Sequence, residues 1–163
     1  MKAIVVYESL WGNTAAVARA IAVGIGGDAR ALSTSEATAD VVTGADLIVA
    51  GAPLLGFSLP TDAMRESIRS NPANRTPDLS SPSMRSWLDS MPAGKGVGAS
   101  FETRIWWSPG SAAKTIADGL DRAGYRSAGN IERFIVKGKY GPLRDGEIDK
   151  ARHWGVGLAA KVV

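Results

Sequence analysis

Continuous apolar runs alternate along this chain with stretches whose apolar residues recur every three or four positions. Continuous runs bounded by glycine or polar residues are typical of strands buried on both faces of a parallel sheet, whereas the three-to-four spacing is typical of helices. The pattern therefore predicts an α/β domain with a parallel sheet. The predicted strands cover residues 3–7, 29–32, 46–50, 95–101 and 134–136.

Helical spacing follows most of these strands. Thr61 is predicted to cap a helix that runs to Ile68, and Ser81-Pro82 starts a further one. The residues expected on buried helix faces include Val17, Ala20, Ile21, Met84, Trp87, Leu88, Met91, Ala113, Ile116, Leu120, Ile148, Ala151, Gly155 and Leu158. The polar segment 34–43 and the turn-rich segment 71–77 are predicted to be loops.

Composition narrows the range of functions. The 163 residues include no cysteine and a single histidine, His153, so disulfides, thiol redox chemistry and a histidine-based metal site are not expected. The net charge of +3 is scattered along the chain, which does not favour nucleic-acid binding. No apolar run approaches the ~20 residues of a membrane span, and the N-terminus has no signal-peptide pattern. We therefore expect a cytoplasmic protein that contacts neither nucleic acid nor membrane.

The loop after the first predicted strand has the features of a phosphate-binding site. A strand, a short polar loop and a helix N-terminus together gather backbone N–H groups around an anion. Ser9, Asn13 and Thr14 supply hydroxyl and amide groups, and Gly12 lets a ligand approach the backbone. Because the loop contains no lysine or arginine, it would hold one phosphate through dipoles and hydroxyls alone. The alternative is an ordinary turn between a strand and a helix.

This loop resembles the phosphate loop of flavodoxin-like proteins, which bind the monophosphate of FMN. The family pattern S/T-x-T-G-x-T corresponds here to Ser9, Leu10, Trp11, Gly12, Asn13 and Thr14. Trp11 takes the place of a hydroxyl residue, as the quinone-reductase branch of the superfamily also allows. Residues 101–104 and 141–147 further resemble a group of flavodoxin-domain proteins in high-GC bacteria.

Two later loops resemble the other flavin-contacting loops of that family. The loop after the third strand has the family's glycine-x-proline and a later glycine, but a leucine follows the proline where the family has threonine. The resemblance implies cofactor contacts from Pro53, Leu54, Leu55 and Gly56 in this loop, although a hydrophobic lid is the alternative. The loop after the fourth strand implies contacts from Glu102, Thr103, Arg104, Trp106 and Trp107, with one tryptophan stacked on the flavin ring.

Two arrangements of the Arg104 side chain are consistent with the sequence. Its guanidinium either reaches toward the flavin ring, or it forms an ion pair with Glu102 or Asp62. For the tryptophans, packing against segment 71–77 is the alternative to contact with the flavin.

The resemblance covers essentially the whole chain and implies one flavodoxin-like domain over residues 1–163. The implied fold is a three-layer α/β sandwich with a five-stranded parallel sheet in the order 2-1-3-4-5. The implied function is that of an FMN-binding redox protein, either an electron carrier or a small flavin reductase, with a redox partner protein or a small-molecule electron acceptor as partner. The alternative is a flavodoxin-like interaction module whose FMN binding is weakened or lost, since Trp11 and Leu54 replace the family's threonines. Two other classes of protein are not expected. A receiver domain needs an aspartate after the third strand, where this chain has Gly51-Ala52-Pro53, and a low-molecular-weight phosphatase needs a cysteine, which the chain lacks.

Overall fold

The structure is a computed structural model that describes residues 1–162, so Val163 of the predicted domain lies outside the described residues. Strands and helices alternate along the chain as expected. The strands are β1 (Ala3–Tyr7), β2 (Arg30–Ser33), β3 (Leu47–Pro53), β4 (Val97–Ile105), β5 (Arg126–Ser127) and β6 (Glu132–Val136). The helices are α1 (Asn13–Ile25), α2 (Ala39–Val42), α3 (Asp62–Ser70), α4 (Met84–Ser90), α5 (Ala113–Arg122) and α6 (Glu147–Ala160).

The sheet is parallel throughout, and its first four positions are β2, β1, β3 and β4. Two separate segments occupy the fifth position: β5 pairs with the start of β4, and β6 pairs with its end. The predicted order 2-1-3-4-5 is confirmed. Only the second segment of the last strand was predicted, because β5 has two exposed polar residues and no apolar pattern.

Backbone groups on the outer edge of β6 already have hydrogen-bond partners. The N–H of Ile135 donates to the Glu147 carboxylate at 2.8 Å, and the carbonyl of Ile135 accepts from the N–H of Arg144 at 2.8 Å. Lys150 donates through Nζ to the carbonyl of Arg133. Side chains and a loop therefore cover this edge of the sheet.

Both faces of the sheet are buried, which explains why the central strands read as continuous apolar runs. Val5 and Val49 pack with α1 and α6 on one face. Ile4 and Ile48, one position away in each strand, pack with α4 and α5 on the other. The two layers of helices confirm the predicted three-layer architecture.

Helices α1 and α6 pack with their backbones in close contact through two glycines. A Cβ atom on Gly24 would lie 2.0 Å from the carbonyl oxygen of Arg152, and one on Gly155 would lie 2.3 Å from that of Ile21. Neither position has room for a side chain. Gly155 lies on the buried face of the last helix, as its spacing predicts.

Several predicted bounds were wrong, and β3 extends to Pro53 rather than ending at Ala50. Strand β4 continues to Ile105 rather than ending near Phe101, because β6 pairs with the additional residues and the charged side chains among them are buried. Segment 34–43, predicted as loop, contains the short helix α2, whose Val42 is fully buried. None of the helices described in residues 1–162 has the length and apolar character needed to cross a membrane.

Candidate functional site

A cavity of about 200 Å³ lies at the carboxyl ends of β1, β3 and β4. In open α/β sheets this edge, at the point where the strand order reverses, is where ligands bind. The loops after β1 and β3 meet there, and the N–H of Glu8 donates to the carbonyl of Gly51 at 3.0 Å. The lining residues are Ser9, Leu10, Trp11, Asn13, Thr14, Pro53, Leu54, Leu55, Gly56, Thr103, Arg104, Ile105, Ser108, Val136 and Lys139.

The loop of residues 9–14 leads directly into α1. Gly12 caps the helix with a φ of 95°, in the left-handed region that favours glycine. Ser9 folds back over the loop, and its Oγ accepts from the N–H of Gly12 at 3.1 Å and from that of Ala15 at 3.2 Å. Within the described residues, the N–H groups of Asn13 and Thr14 have no hydrogen-bond acceptor. This first turn of α1 therefore offers two unpaired donors at the positive end of the helix dipole.

A buried hydroxyl contact joins the first loop to the third. Thr14 Oγ1 lies 2.8 Å from Thr103 Oγ1, and both side chains are buried. Because a threonine hydroxyl has one donor and two acceptor positions, each can still accept a further hydrogen bond. The contact fixes the spacing between α1 and the end of β4 at the cavity wall.

Trp11 and Asn13 are held from outside by the segment 71–77 and by Tyr140. The indole N–H of Trp11 donates to the carbonyl of Arg75 at 3.1 Å, and its ring meets the Tyr140 ring edge-on at 4.8 Å. Asn13 donates through Nδ2 to the carbonyl of Tyr140 at 3.1 Å. The hydroxyl of Tyr140 accepts in turn from the N–H of Arg75 at 3.1 Å. The indole of Trp11 therefore packs on Tyr140 and is fixed to the turn-rich segment.

The second loop supplies an apolar wall. Leu54 is buried, and its N–H donates to the carbonyl of Thr103 at 2.9 Å. Leu55 and Ser58 exchange two backbone hydrogen bonds, which close a tight turn around Gly56 and Phe57. Both turn residues have positive φ, and the Phe57 side chain is exposed. Pro53, Leu54, Leu55 and Gly56 all line the cavity, as the predicted contacts require.

Glu102, a predicted cofactor contact, is fully buried beneath the third loop and is not part of the cavity lining. Its Oε1 accepts from Ser111 Oγ and from the N–H groups of Ala112 and Ala113, each at 3.0 Å. Its Oε2 accepts from Arg104 Nη1 at 2.8 Å. Because both oxygens are engaged, this geometry gives Glu102 the role of capping α5 and does not support a contact with a cofactor.

Arg104 adopts the second of its two expected arrangements. Its guanidinium pairs with Glu102 and donates to the carbonyl of Gly110 at 3.1 Å, and the residue is buried rather than on the surface. It still forms part of the cavity wall, as does Thr103. Arg104 therefore brings a neutralised ion pair, rather than a free positive charge, to this side of the cavity.

Trp106 and Trp107 lie outside the cavity lining, with 73% and 64% of their surface exposed. Trp107 borders a neighbouring cleft of about 230 Å³ together with Phe57 and Pro109. Neither tryptophan stacks over the cavity in this arrangement of the loop. Gly12 is likewise outside the cavity lining, although it caps the helix beside it.

Four lining residues were missed by the sequence analysis: Ile105, Ser108, Val136 and Lys139. Val136 ends β6, and Lys139 lies in the loop that follows. The rule that ligands bind beyond the carboxyl ends of the strands applies to β6 as well, and would have indicated this loop. Lys139 donates through Nζ to Asn74 Oδ1 at 2.6 Å, so it places a positive charge near an otherwise neutral loop.

Glu8 and Arg65 form a buried ion pair beside the first loop. Glu8 Oε1 accepts from the N–H of Met84 at 2.8 Å, and Oε2 lies 3.4 Å from Arg65 Nε. Burial raises the pKa of Glu8, against the lowering effects of the Met84 N–H and the Arg65 charge. The described residues contain no group of three or more acidic or histidine side chains that could hold a metal ion.

Comparison with solved structures gives likenesses over the whole chain. A flavodoxin from the domain Archaea is 25% identical, with 99% of each chain covered and a TM-score of 0.71. Oxidised flavodoxin 1 from Bacillus cereus is 18% identical, with 98% of each chain covered and a TM-score of 0.69. The flavodiiron core of Flv1 from Synechocystis is 18% identical with a TM-score of 0.66, and here 99% of this chain matches 36% of the other. No protein-family model and no curated protein matches the sequence.

Proposed function

We propose that this chain is an electron-transfer protein that binds FMN. The proposal rests on its flavodoxin-like fold and on the cavity at the topological switch point. The main support for the proposal comes from the loop of residues 9–14. It brings two unpaired backbone N–H groups and neutral hydroxyl side chains to a helix N-terminus at the cavity wall. These groups suit a single phosphate.

The residues present fit FMN in their chemistry. Asn13 and Thr14 would donate their N–H groups to the phosphate, and Gly12 leaves the approach open because a Cβ there would meet nothing within 4 Å. Leu54 and Leu55 would pack on the flavin ring, and Thr103 and Arg104 would hold it from the end of β4. The flavin supplies the redox chemistry, and the chain binds and orients it and excludes water from the ring.

The donor and acceptor of electrons belong to the same proposal. We expect a redox partner protein or a small-molecule electron acceptor, and an electron carrier or small flavin reductase rather than an enzyme with a side-chain acid or nucleophile. Exposed Phe57 and Trp107 border the neighbouring cleft, which shares Leu54, Gly56 and Ser108 with the cavity, and this apolar surface is where we expect either partner to approach.

A second candidate is an interaction module with weakened FMN binding. It is favoured by Trp11, which replaces a phosphate-contacting hydroxyl and is fixed to the Arg75 carbonyl, and by Leu54, which is buried in place of a threonine. The colour of the purified protein separates the two candidates. A yellow protein, or one that turns yellow with FMN, supports the first.

We predict that FMN binds more tightly than riboflavin, by a factor of about ten to a hundred. The reason is that a hydrogen bond to a charged group contributes ~1.5–3 kcal/mol, and ~1.4 kcal/mol corresponds to a tenfold change in affinity. Titration with quenching of flavin fluorescence measures both dissociation constants. Equal affinities would remove the phosphate from the binding mode and favour the interaction module.

We further predict that Thr14→Ala weakens FMN binding more than Trp106→Ala or Trp107→Ala. Thr14 lines the cavity in the first turn of α1, whereas the two tryptophans lie outside the lining. Thr14→Ser, which keeps the hydroxyl, serves as the matched control and should bind nearly as well as wild type. Calorimetric titration decides the order, and a greater loss in either tryptophan variant would mean that the third loop anchors the ligand.

A further inference from the structure

A second cavity, of about 560 Å³, lies on the other side of the phosphate loop, at the carboxyl ends of β1 and β2. Ser9, Leu10 and Trp11 line this cavity as well as the first, so the loop is a wall that the two cavities share. The second cavity is more than twice as large as the first. The flavin proposal gives it no occupant.

The walls of this second cavity are polar. Beside Leu10 and Trp11, the lining includes the charged residues Arg19, Arg65, Glu36 and Asp78 and several serines. Arg19 is exposed, and its guanidinium lies 6.0 Å from the centre of the Tyr7 ring. In the part of the chain that the structure describes, no ion pair holds Arg19. It is therefore a cation available to an anionic ligand.

The two carboxylates are suited to accept hydrogen bonds from hydroxyl groups. Asp78 Oδ1 accepts from the side chain of Ser80 at 2.6 Å and from its N–H at 2.9 Å, and these hydrogen bonds hold the pKa of Asp78 below its usual value. Hydrogen bonds from the backbone and side chain of Ser33 do the same for the pKa of Glu36. Both groups are ionised at neutral pH and act only as acceptors.

A buried ion pair borders the second cavity. Arg65 and Glu8 both border it, and each is more than nine-tenths buried. Arg65 Nε and Glu8 Oε2 face each other at 3.4 Å, and neither has a hydrogen-bond partner. A buried ion pair in the lining, like the charged side chains of Arg19, Glu36 and Asp78, suits a polar rather than an apolar occupant.

We propose that this second cavity binds a nucleoside phosphate, with the phosphate at Arg19 and the sugar hydroxyls at Asp78 and Glu36. A guanidinium suits phosphate, and ionised carboxylates suit a sugar diol. This proposal rests on the proposed function only in that a flavin would occupy the neighbouring first cavity. The nucleoside phosphate has two sources: a free nucleotide beside the flavin, or the adenylate half of a flavin adenine dinucleotide that crosses the shared wall.

The first test uses ADP and the flavin-free protein. Calorimetry is expected to show saturable binding, and Arg19→Gln should weaken it about tenfold through loss of one charged contact with phosphate. Arg122→Gln, which removes an exposed arginine of α5 outside both cavities, is the matched control and should bind ADP as wild type does. Absence of saturable binding, or equal effects of the two substitutions, overturns the proposal.

The second test distinguishes the two sources. If the ligand is the dinucleotide, FAD binds more tightly than FMN, and Arg19→Gln reduces the ratio of the two affinities toward one. If the ligand is a free nucleotide, ADP and FMN bind together and FAD has no advantage. If the protein binds ADP through Arg19 but binds no flavin, the proposal for the second cavity is supported and only the proposal of a flavin in the first cavity is rejected.

Discussion

Glu102→Ala is expected to lower the free energy of unfolding by about 3–5 kcal/mol, which is the usual cost of leaving one charge of a buried ion pair without its partner. The carboxylate has no exposed surface and accepts four hydrogen bonds. Its loss would leave the guanidinium of Arg104 buried with only the Gly110 carbonyl. It would also leave the N–H groups of Ala112 and Ala113 at the start of α5 without an acceptor.

The measurement is urea denaturation of the variant beside a matched pair on the surface. Glu66 also pairs with an arginine, Arg69, but both side chains are more than half exposed. Solvent screens an exposed pair of this kind, so Glu66→Ala should change stability little. If the two substitutions have equal effects, Glu102 does not hold the third loop. The double variant Glu102→Ala with Arg104→Met should recover part of the loss, because it removes the unpaired charge.

The second large effect is expected at the contact between α1 and α6. Gly155→Ala should lower the free energy of unfolding by about 1–3 kcal/mol, as overpacking of a tight core usually does. The added Cβ would lie 2.3 Å from the backbone oxygen of Ile21, so the two helices would have to move apart. Only a backbone shift can relieve this clash, because no flexible side chain lies between them.

Gly157 in the same helix provides the control, since a Cβ there meets nothing within 4 Å. Gly157→Ala should raise stability by roughly 0.5–1 kcal/mol, because alanine loses less backbone entropy than glycine in a helix. Thermal and urea denaturation measure whether stability falls in Gly155→Ala and rises in Gly157→Ala. A gain in both variants would mean that α1 and α6 do not pack as closely as described.

The sheet and the position of the loop of residues 9–14 could be predicted because their signals are local. Continuous apolar runs mark β1 and β3 as strands buried on both faces, and the polar residues between Tyr7 and Thr14 mark the loop between strand and helix. The order of the strands followed from the family resemblance. These features depend on neighbours in sequence or on a whole-chain pattern.

The third loop could not be predicted in the same way, because its contacts depend on partners that are distant in sequence. Glu102 and Arg104 look like loop residues, since charged side chains are rarely buried. In the structure they lie in β4, where each neutralises the other and the start of α5 adds further donors. Trp106 and Trp107 looked like ring-stacking residues, but the loop directs them outward. No local pattern distinguishes these arrangements.

The covered edge of β6 has a consequence for association between copies of this chain. An exposed strand edge can template the addition of a strand from another molecule, which is the first step toward fibrils. Here the backbone of Ile135 is already bonded to Glu147 and Arg144, and Lys150 occupies the carbonyl of Arg133. At the opposite edge β2 has only four residues. Both margins of the sheet are therefore poor templates, so a concentrated stock of the folded protein should resist fibril growth until it unfolds.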